Sequence, residues 1–289
     1  MKINFNNIDM YNIKSITGMF EACHSTKHLD ISNFDTHNVS EMESVFAYSE
    51  NIETLNISNF DTSRVRTMDS MFANCSSIKC LDLSNFNTTN VKDMESMFYG
   101  CILLKDLDLS CFNTSKVSNM TAMFAHCVNL ERIDLSNFNT RNTKFMDSMF
   151  FRCERLKHLD LSSFNTSKVV NMSSLFSGCE RLEHLNISNF DTSKVDNMTN
   201  MFYGCSSVKQ LDLSNFNTRE VTAMNNMFYN CSSIKQLDLS SLNTSKVVTM
   251  SGMFYGCKSL VEIILPREQS SRQSIIEQIK RDNIQCKLI

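Results

Sequence analysis

The dipeptide Met-Phe, or a near equivalent, ends at Phe20, Phe46, Phe72, Phe98, Phe124, Phe150, Phe176, Phe202, Phe228 and Phe254, and every interval is 26 residues. A fixed period of this size, with no insertion or deletion, makes each unit a copy of its neighbour. It requires the units to stack, because one short unit cannot bury its apolar side chains alone. The full frame reads L-D-L-S-N-F-N-T-S-K-V-x-N-M-x-x-M-F-x-x-C-x-x-L-x-x. Leu29 and Ile31 open one copy, and Leu237 and Leu239 a late one. Backward projection puts Ile3 and Phe5 in the first slots, and forward projection ends at Ile263 and Leu265, just before Pro266. Residues 1–265 therefore read as a single solenoid and residues 266–289 as a distinct tail.

Spacing suggests the contents of a unit. Val91, Met94, Met97, Phe98 and Cys101 fall where one apolar face of a short helix would place them. The threonine column (Thr36, Thr62, Thr88 and onward), or the Asn/Asp before it, suits the N-cap. The slot before the cysteine holds Gly100, Gly178, Gly204 and Gly256, four of only six glycines, with Asn74 and Asn230 in the same position. These residues tolerate a left-handed helix terminus, and Tyr48, His126 and Arg152 are the exceptions, expected to be strained or capped differently. Leu104, Leu107 and Leu109 then space as a half-buried strand. The expected fold is an α/β solenoid, leucine-rich-repeat-like: ten 26-residue helix–strand units, one parallel β-sheet face and a C-terminal cap. Eleven strands at about 4.8 Å would give a rod of roughly 50 Å.

Composition narrows function mainly by exclusion. Lys plus Arg is 28 and Asp plus Glu is 31, a net charge of −3 that gives no footprint for nucleic acid or an anionic membrane. No run approaches the roughly 18 apolar residues of a membrane span. The opening MKINFNNIDMYNIKSITGMF lacks the apolar core of a secretory signal. No nucleophile elbow, paired catalytic carboxylates or glycine-rich phosphate loop occurs in the sequence, so no catalytic residue and no cofactor is expected.

Four columns could carry chemistry. Nine cysteines share one slot (Cys23, Cys75, Cys101, Cys127, Cys153, Cys179, Cys205, Cys231 and Cys257), with Ser49 in the remaining copy. Disulfide, metal or redox roles compete with a plain buried thiol. The thiol reading is favoured because cysteine follows the core period and no C-x-x-C pair exists. An aspartate column includes Asp82, Asp108, Asp134 and Asp160, and strand alternation turns it to solvent; a structural hydrogen-bonding role competes with a cation stripe. The slot beside it varies: His28, Thr54, Cys80, Asp106, Arg132, His158, His184, Gln210, Gln236, Glu262. Variation among uniform columns marks either freedom or recognition. Asp106, Asp108, Arg132, Asp134, His158, Asp160 and His184 form the candidate partner-binding face. His158 and His184 would stack, but without a third fixed ligand they make no metal site. Tyr99, Phe151, Tyr203, Tyr229 and Tyr255 form an aromatic column, for rim packing or for a partner. In the tail, Ile275, Ile276 and Ile279 lie on one helical face, and IQCKLI reads as a strand, so residues 266–289 form a cap or, alternatively, a docking helix.

The string LDLSNFNT..V..M..MF..C..L resembles the BspA-like leucine-rich-repeat surface proteins, in their 26-residue "MF..C" variant, over about residues 1–265. The resemblance implies a solenoid displayed at a cell surface for adhesion or interaction, with no catalytic residues to carry over. Surface members have an export signal and usually an anchor, and neither is seen here. The chain is then a cytoplasmic relative, a piece of a longer protein, or exported by another route. The expected function is a non-enzymatic interaction module, adhesin-like or scaffold, that binds a protein ligand through its sheet face. No nucleic acid and no membrane insertion is expected. The alternative is a structural rod that self-associates end to end, since Ile8, Met10 and Ile13 of the first unit show no recognisable cap.

Overall fold

The computed structural model describes residues 9–289; Ile3, Phe5 and Ile8 lie outside the described residues. The rest is a parallel solenoid with the 26-residue register intact. Three-residue strands β1 (His28–Asp30), β2 (Thr54–Asn56), β3 (His158–Asp160), β4 (His184–Asn186), β5 (Gln236–Asp238) and β6 (Glu262–Ile264) all fall in the predicted strand slot. Each pairs in parallel with the same slot one unit away, as in Leu159 with Leu185 and Leu237 with Ile263.

Two expectations need correction. The strands form three short sheets, β1–β2, β3–β4 and β5–β6 joined by a tail strand β7 (Lys287–Leu288), rather than one continuous face. A three-residue strand has few ladder bonds to lose, so small local departures interrupt the pairing. The second correction is larger: among the described residues the repeats contain no α-helix, and the Met-Phe segment is a string of turns.

The backbone accounting explains why. In the unit holding Phe72, the N–H groups of Met71, Ala73 and Cys75 close turns onto the carbonyls of Met68, Ser70 and Phe72. The intervening N–H groups of Ser70, Phe72 and Asn74 point along the rod to the carbonyls of Glu95, Met97 and Tyr99 in the next unit. Every other peptide is thus satisfied within the rung and the rest between rungs, which leaves nothing for a helix to supply. The pattern repeats along the rod. The Phe20-to-Phe228 column donates at 2.9–3.0 Å at each step. A run of parallel bridges from Ser15↔Glu41 to Ala223↔Thr249 accompanies it. The unbroken ladder therefore lies on the side where helices were expected.

Left-handed residues turn the peptides into this arrangement. The slot before the cysteine has positive φ, as at Gly100 (φ 68) and Asn74 (φ 58). Tyr48, His126 and Arg152 adopt it as well, at φ 58, 60 and 57, so they accept the strain rather than changing the geometry. A second left-handed slot lies four residues earlier, at Ser44, Ser70, Ser96, Ala122, Ser148 and Ser174. A non-glycine residue there costs about 1–2 kcal/mol. The axial hydrogen bonds and the buried side chains they align offset it.

The core is a set of stacked columns. Phenylalanine rings of successive units stack nearly parallel at 5.6–6.0 Å, for example Phe98 on Phe124 at 5.7 Å and 2°. A second buried column runs through Phe34, Phe60, Phe86, Phe112, Phe138 and Phe164, and its rings meet the first column, as Phe34 meets Phe20 at 5.9 Å and Phe60 meets Phe46 at 6.2 Å. The threonines are not helix caps but links between rungs. The Thr140 Oγ1 donates to the carbonyl of Asn165 at 3.0 Å and accepts from its N–H at 2.8 Å, and the pair recurs from Thr36 to Thr218.

After Pro266 the tail folds as helix α1 (Gln269–Arg281) and strand β7 (Lys287–Leu288). The Glu268 carboxylate accepts from the N–H groups of Ser270 and Ser271 and starts the helix. Ile275 and Ile279 are buried against the last rung, and β7 pairs with β6. At that rung Phe254 has no following unit, and its N–H meets the Asp282 Oδ2 at 2.9 Å. Thr244, the last of its column, donates its N–H to Ser271 Oγ at 2.8 Å.

Two substitutions test this scheme. Thr140→Val keeps the side-chain shape but strands both backbone groups of Asn165, and should cost about 1–3 kcal/mol in urea unfolding. Gln210→Ala, on the exposed face, should stay within about 0.5 kcal/mol. Asp282→Ala should lower stability by about 1–3 kcal/mol through the loss of a charge-assisted bond, with the first unfolding seen by hydrogen exchange at the C-terminal rungs.

Candidate functional site

The strand slot positions the candidate face. In β3 the middle residue Leu159 is buried while His158 and Asp160 are exposed, so the pleat sends the varied and aspartate columns outward together. Asp106 and Arg132 lie on adjacent rungs and form an ion pair at 3.0 Å. The rings of His158 and His184 stack at 4.8 Å and 7°. A depression of about 400 Å³ is lined by Asp106, Asp108, Arg132 and Asp134. A groove of about 690 Å³ is lined by His158, Asp160, His184, Lys209 and Gln210, and one of about 830 Å³ by Gln210, Lys235, Gln236 and Asp238. The seven residues thus divide between two depressions, four in one and three in the other. Lys209, Gln210, Lys235 and Gln236, outside the candidate set, continue the same surface; the varied column already pointed to the two glutamines.

The aspartates are structural on one side. Asp108, Asp134 and Asp160 each accept from the N–H of a serine two residues on, at 2.9 Å. These backbone bonds, helped by the serine hydroxyls, hold the three carboxyls below their ordinary value. They stay ionised while they fix the turn that leaves the strand. Among the described residues no group of three His, Cys, Asp or Glu could hold a metal ion. No helix of the described residues is long and apolar enough to cross a membrane.

The cysteine column is a packing column. Cys75 and Cys101 to Cys257 are buried and free, and each thiol donates to a phenylalanine carbonyl of the previous unit, at 3.1 Å for Cys127 to Phe98. Ser49 makes the same bond to Phe20 at 2.9 Å, which explains how serine fills a cysteine slot. Cys23 is only half-buried. Burial pushes the thiols of Cys127, Cys179 and Cys257 up to about 12. In the aromatic column Tyr203 stacks on Tyr229 at 4.8 Å and Tyr229 on Tyr255 at 5.0 Å.

A parallel solenoid with an L-x-L strand slot and stacked apolar columns is a leucine-rich-repeat protein. The chain belongs to the family described as "Mycoplasma protein of unknown function, DUF285", which it matches over residues 1–101, 73–184 and 151–265. This agrees with the BspA-like resemblance of its frame. A comparison with curated proteins finds no match. Similar solved structures include a leucine-rich cell surface protein from Faecalibacterium prausnitzii, at 14% identity and TM-score 0.40, covering 90% of this chain and 78% of that one. A leucine-rich repeat protein from Eubacterium ventriosum is similar at 13% identity and TM-score 0.35, covering 89% and 82%. The pneumococcal vaccine antigen PcpA is similar at 12% identity and TM-score 0.35, covering 91% and 70%. At these scores the likenesses carry no argument.

The thiols give a pH test. Their folded values lie above the ordinary 9.0, so the stability linked to them is fully present below about pH 9 and falls as pH rises toward 12. Denaturant midpoints should therefore be level from neutral pH to about 9 and drop beyond it. A thiol reagent at neutral pH should label the exposed Cys80 and Cys111 and spare the buried column until the chain unfolds.

Proposed function

We propose that this chain is a non-catalytic protein-binding module, adhesin-like or scaffold in type, that recognises its ligand through the outward face of the strand slots. The observation that carries this reading is the contrast between columns. Leu, Asp and Ser repeat with little change because they hold the rung together. The slot between them holds His, Thr, Cys, Asp, Arg, Gln or Glu, although it occupies the same position in every unit. Six of those varied side chains, Asp106, Arg132, His158, His184, Gln210 and Gln236, line the depressions described above. Uniform scaffold with a varied exposed column is the arrangement by which repeat proteins present extended binding surfaces. On the same reading the tail, residues 266–289, closes the last rung and takes no part in recognition.

The test pairs a face variant with a stability control. Arg132→Ala, His158→Ala and His184→Ala combined should abolish ligand capture in cross-linking and pull-down, with an unchanged melt. Gly204→Ala, on another side, should leave capture intact even though its φ of +70 makes it strained. Equal capture by the face variant would refute the reading. A mass by light scattering that grows with concentration, in place of a captured ligand, would favour a self-associating rod.

A further inference from the structure

We infer that a second face of the rod, independent of the strand-slot face, is a binding groove for a linear sulfated polysaccharide. A groove of about 690 Å³ is lined by Lys14, Asn38, Ser40, Arg64, Arg66, Asn90, Lys92 and Lys116. Its lining holds five cations, three neutral hydrogen-bonding groups and no carboxylate. Lys144, Lys168 and Lys194 occupy the same two columns in the following units, and all eight cations are exposed. Among the described residues none of the eight forms an ion pair, although the structure contains such pairs elsewhere.

These cations are placed by neutral amides. Arg64 donates to the Asn38 Oδ1, Lys116 to the Asn90 Oδ1 and Lys168 to the Asn142 Oδ1, each at 2.7 Å. The three asparagines are themselves fixed, each donating its amide to a backbone carbonyl of the previous unit at 2.8–2.9 Å. The device repeats every second rung, roughly 10 Å along the axis. An amide orients the cation without neutralising it. Three carboxylates of the neighbouring columns are turned to partners of their own: Asp93 and Glu95 accept from Asn119, and Asp69 from Ser70. The strip ends where carboxylates enter its columns at Asp196 and Glu220, the latter paired with Lys246 at 2.6 Å.

The partner follows from what the groove has and lacks. It has no aromatic side chain to stack a base, which single-stranded nucleic acid sites use. It has no free strand edge for an extended acidic peptide, because its backbone groups are engaged between rungs, as in Arg66 N–H to Ser40 and Lys92 N–H to Arg66. A linear sulfated polysaccharide carries anionic groups sugar by sugar on a stiff chain, separated by hydroxyls. Arg and Lys suit its sulfates, and the interleaved Asn and Ser suit its hydroxyls. Cations on seven of the eight rungs from Lys14 to Lys194 would engage a chain about 34 Å long.

The full chain should bind heparin in isothermal titration, with affinity that falls as salt rises and increases with oligosaccharide length up to about 34 Å. Fully desulfated heparin should not bind. Replacing Arg64, Arg66, Lys92 and Lys116 together by Gln should weaken binding roughly tenfold or more, at least about 1.4 kcal/mol. Lys246→Gln and Arg132→Ala should leave it unchanged. Binding that survives desulfation or the fourfold substitution would overturn the proposal. So would displacement of heparin by polyuridylate at lower concentration, which would assign the groove to a nucleic-acid backbone. The desulfation arm uses the unsubstituted protein, so the proposal can fail even if a variant misfolds. Failure here leaves the strand-slot reading untouched.

Discussion

The structure rests on hydrogen bonds between equivalent positions of successive units. In the Met-Phe segment, a donor at one position finds an acceptor 25 residues on, at every step, as in Ser96 to Thr121 and Phe98 to Met123. That is possible only if the unit length never changes. One inserted residue would move a donor opposite a group already used inside the next rung, and would turn a buried methionine outward. The invariant 26-residue spacing is therefore the cause of the fold as well as its signature. The stacked phenylalanines, the threonine links and the thiol bonds all depend on the same register.

The columns divide labour. Phenylalanine and methionine supply buried apolar area. Threonine, cysteine and serine pair with backbone groups that a rung cannot satisfy by itself, such as the Phe98 carbonyl taken by Cys127. Aspartate fixes the exit from the strand slot. Because these duties are assigned to fixed positions, the remaining outward slots are free of structural work. The His158–His184 stack and the Arg132–Asp106 pair occupy one such column, and the basic strip occupies two others.

Much of this was legible in the sequence. Periodicity gave the inside and outside of each unit, the strand slot, the buried character of the cysteines and the varied face. The helix was misread for a definite reason. Turns closing every two or three residues, as at Met97 onto Met94 and Cys101 onto Phe98, bring apolar residues inward at the i, i+3 spacing that also marks a helix. The second left-handed slot is masked by serine at Ser70, Ser96 and Ser148, and is marked only by Gly18, Asn200, Asn226 and Gly252 in the same column. The basic strip was hidden by averaging: a net charge of −3 sums columns that the fold sets on different faces. Its signal was present as cations at multiples of the repeat, Lys14, Arg66, Lys92 and Lys144 in one slot.

Within the Met-Phe segment the axial hydrogen bonds run one way, with N–H groups facing the C-terminal end and carbonyls the N-terminal end, whereas bonds such as Arg66 N–H to Ser40 run the other way elsewhere in the rung. Peptide dipoles aligned head to tail add, as they do in a helix. That side of the rod is thus electrically polar along its length, with its positive pole at the last rung. Asp282 brings a carboxylate to that pole at Phe254, in the sense the field favours. The two ends of this segment are therefore not interchangeable: its pole at the last rung favours an acid and its opposite pole a base.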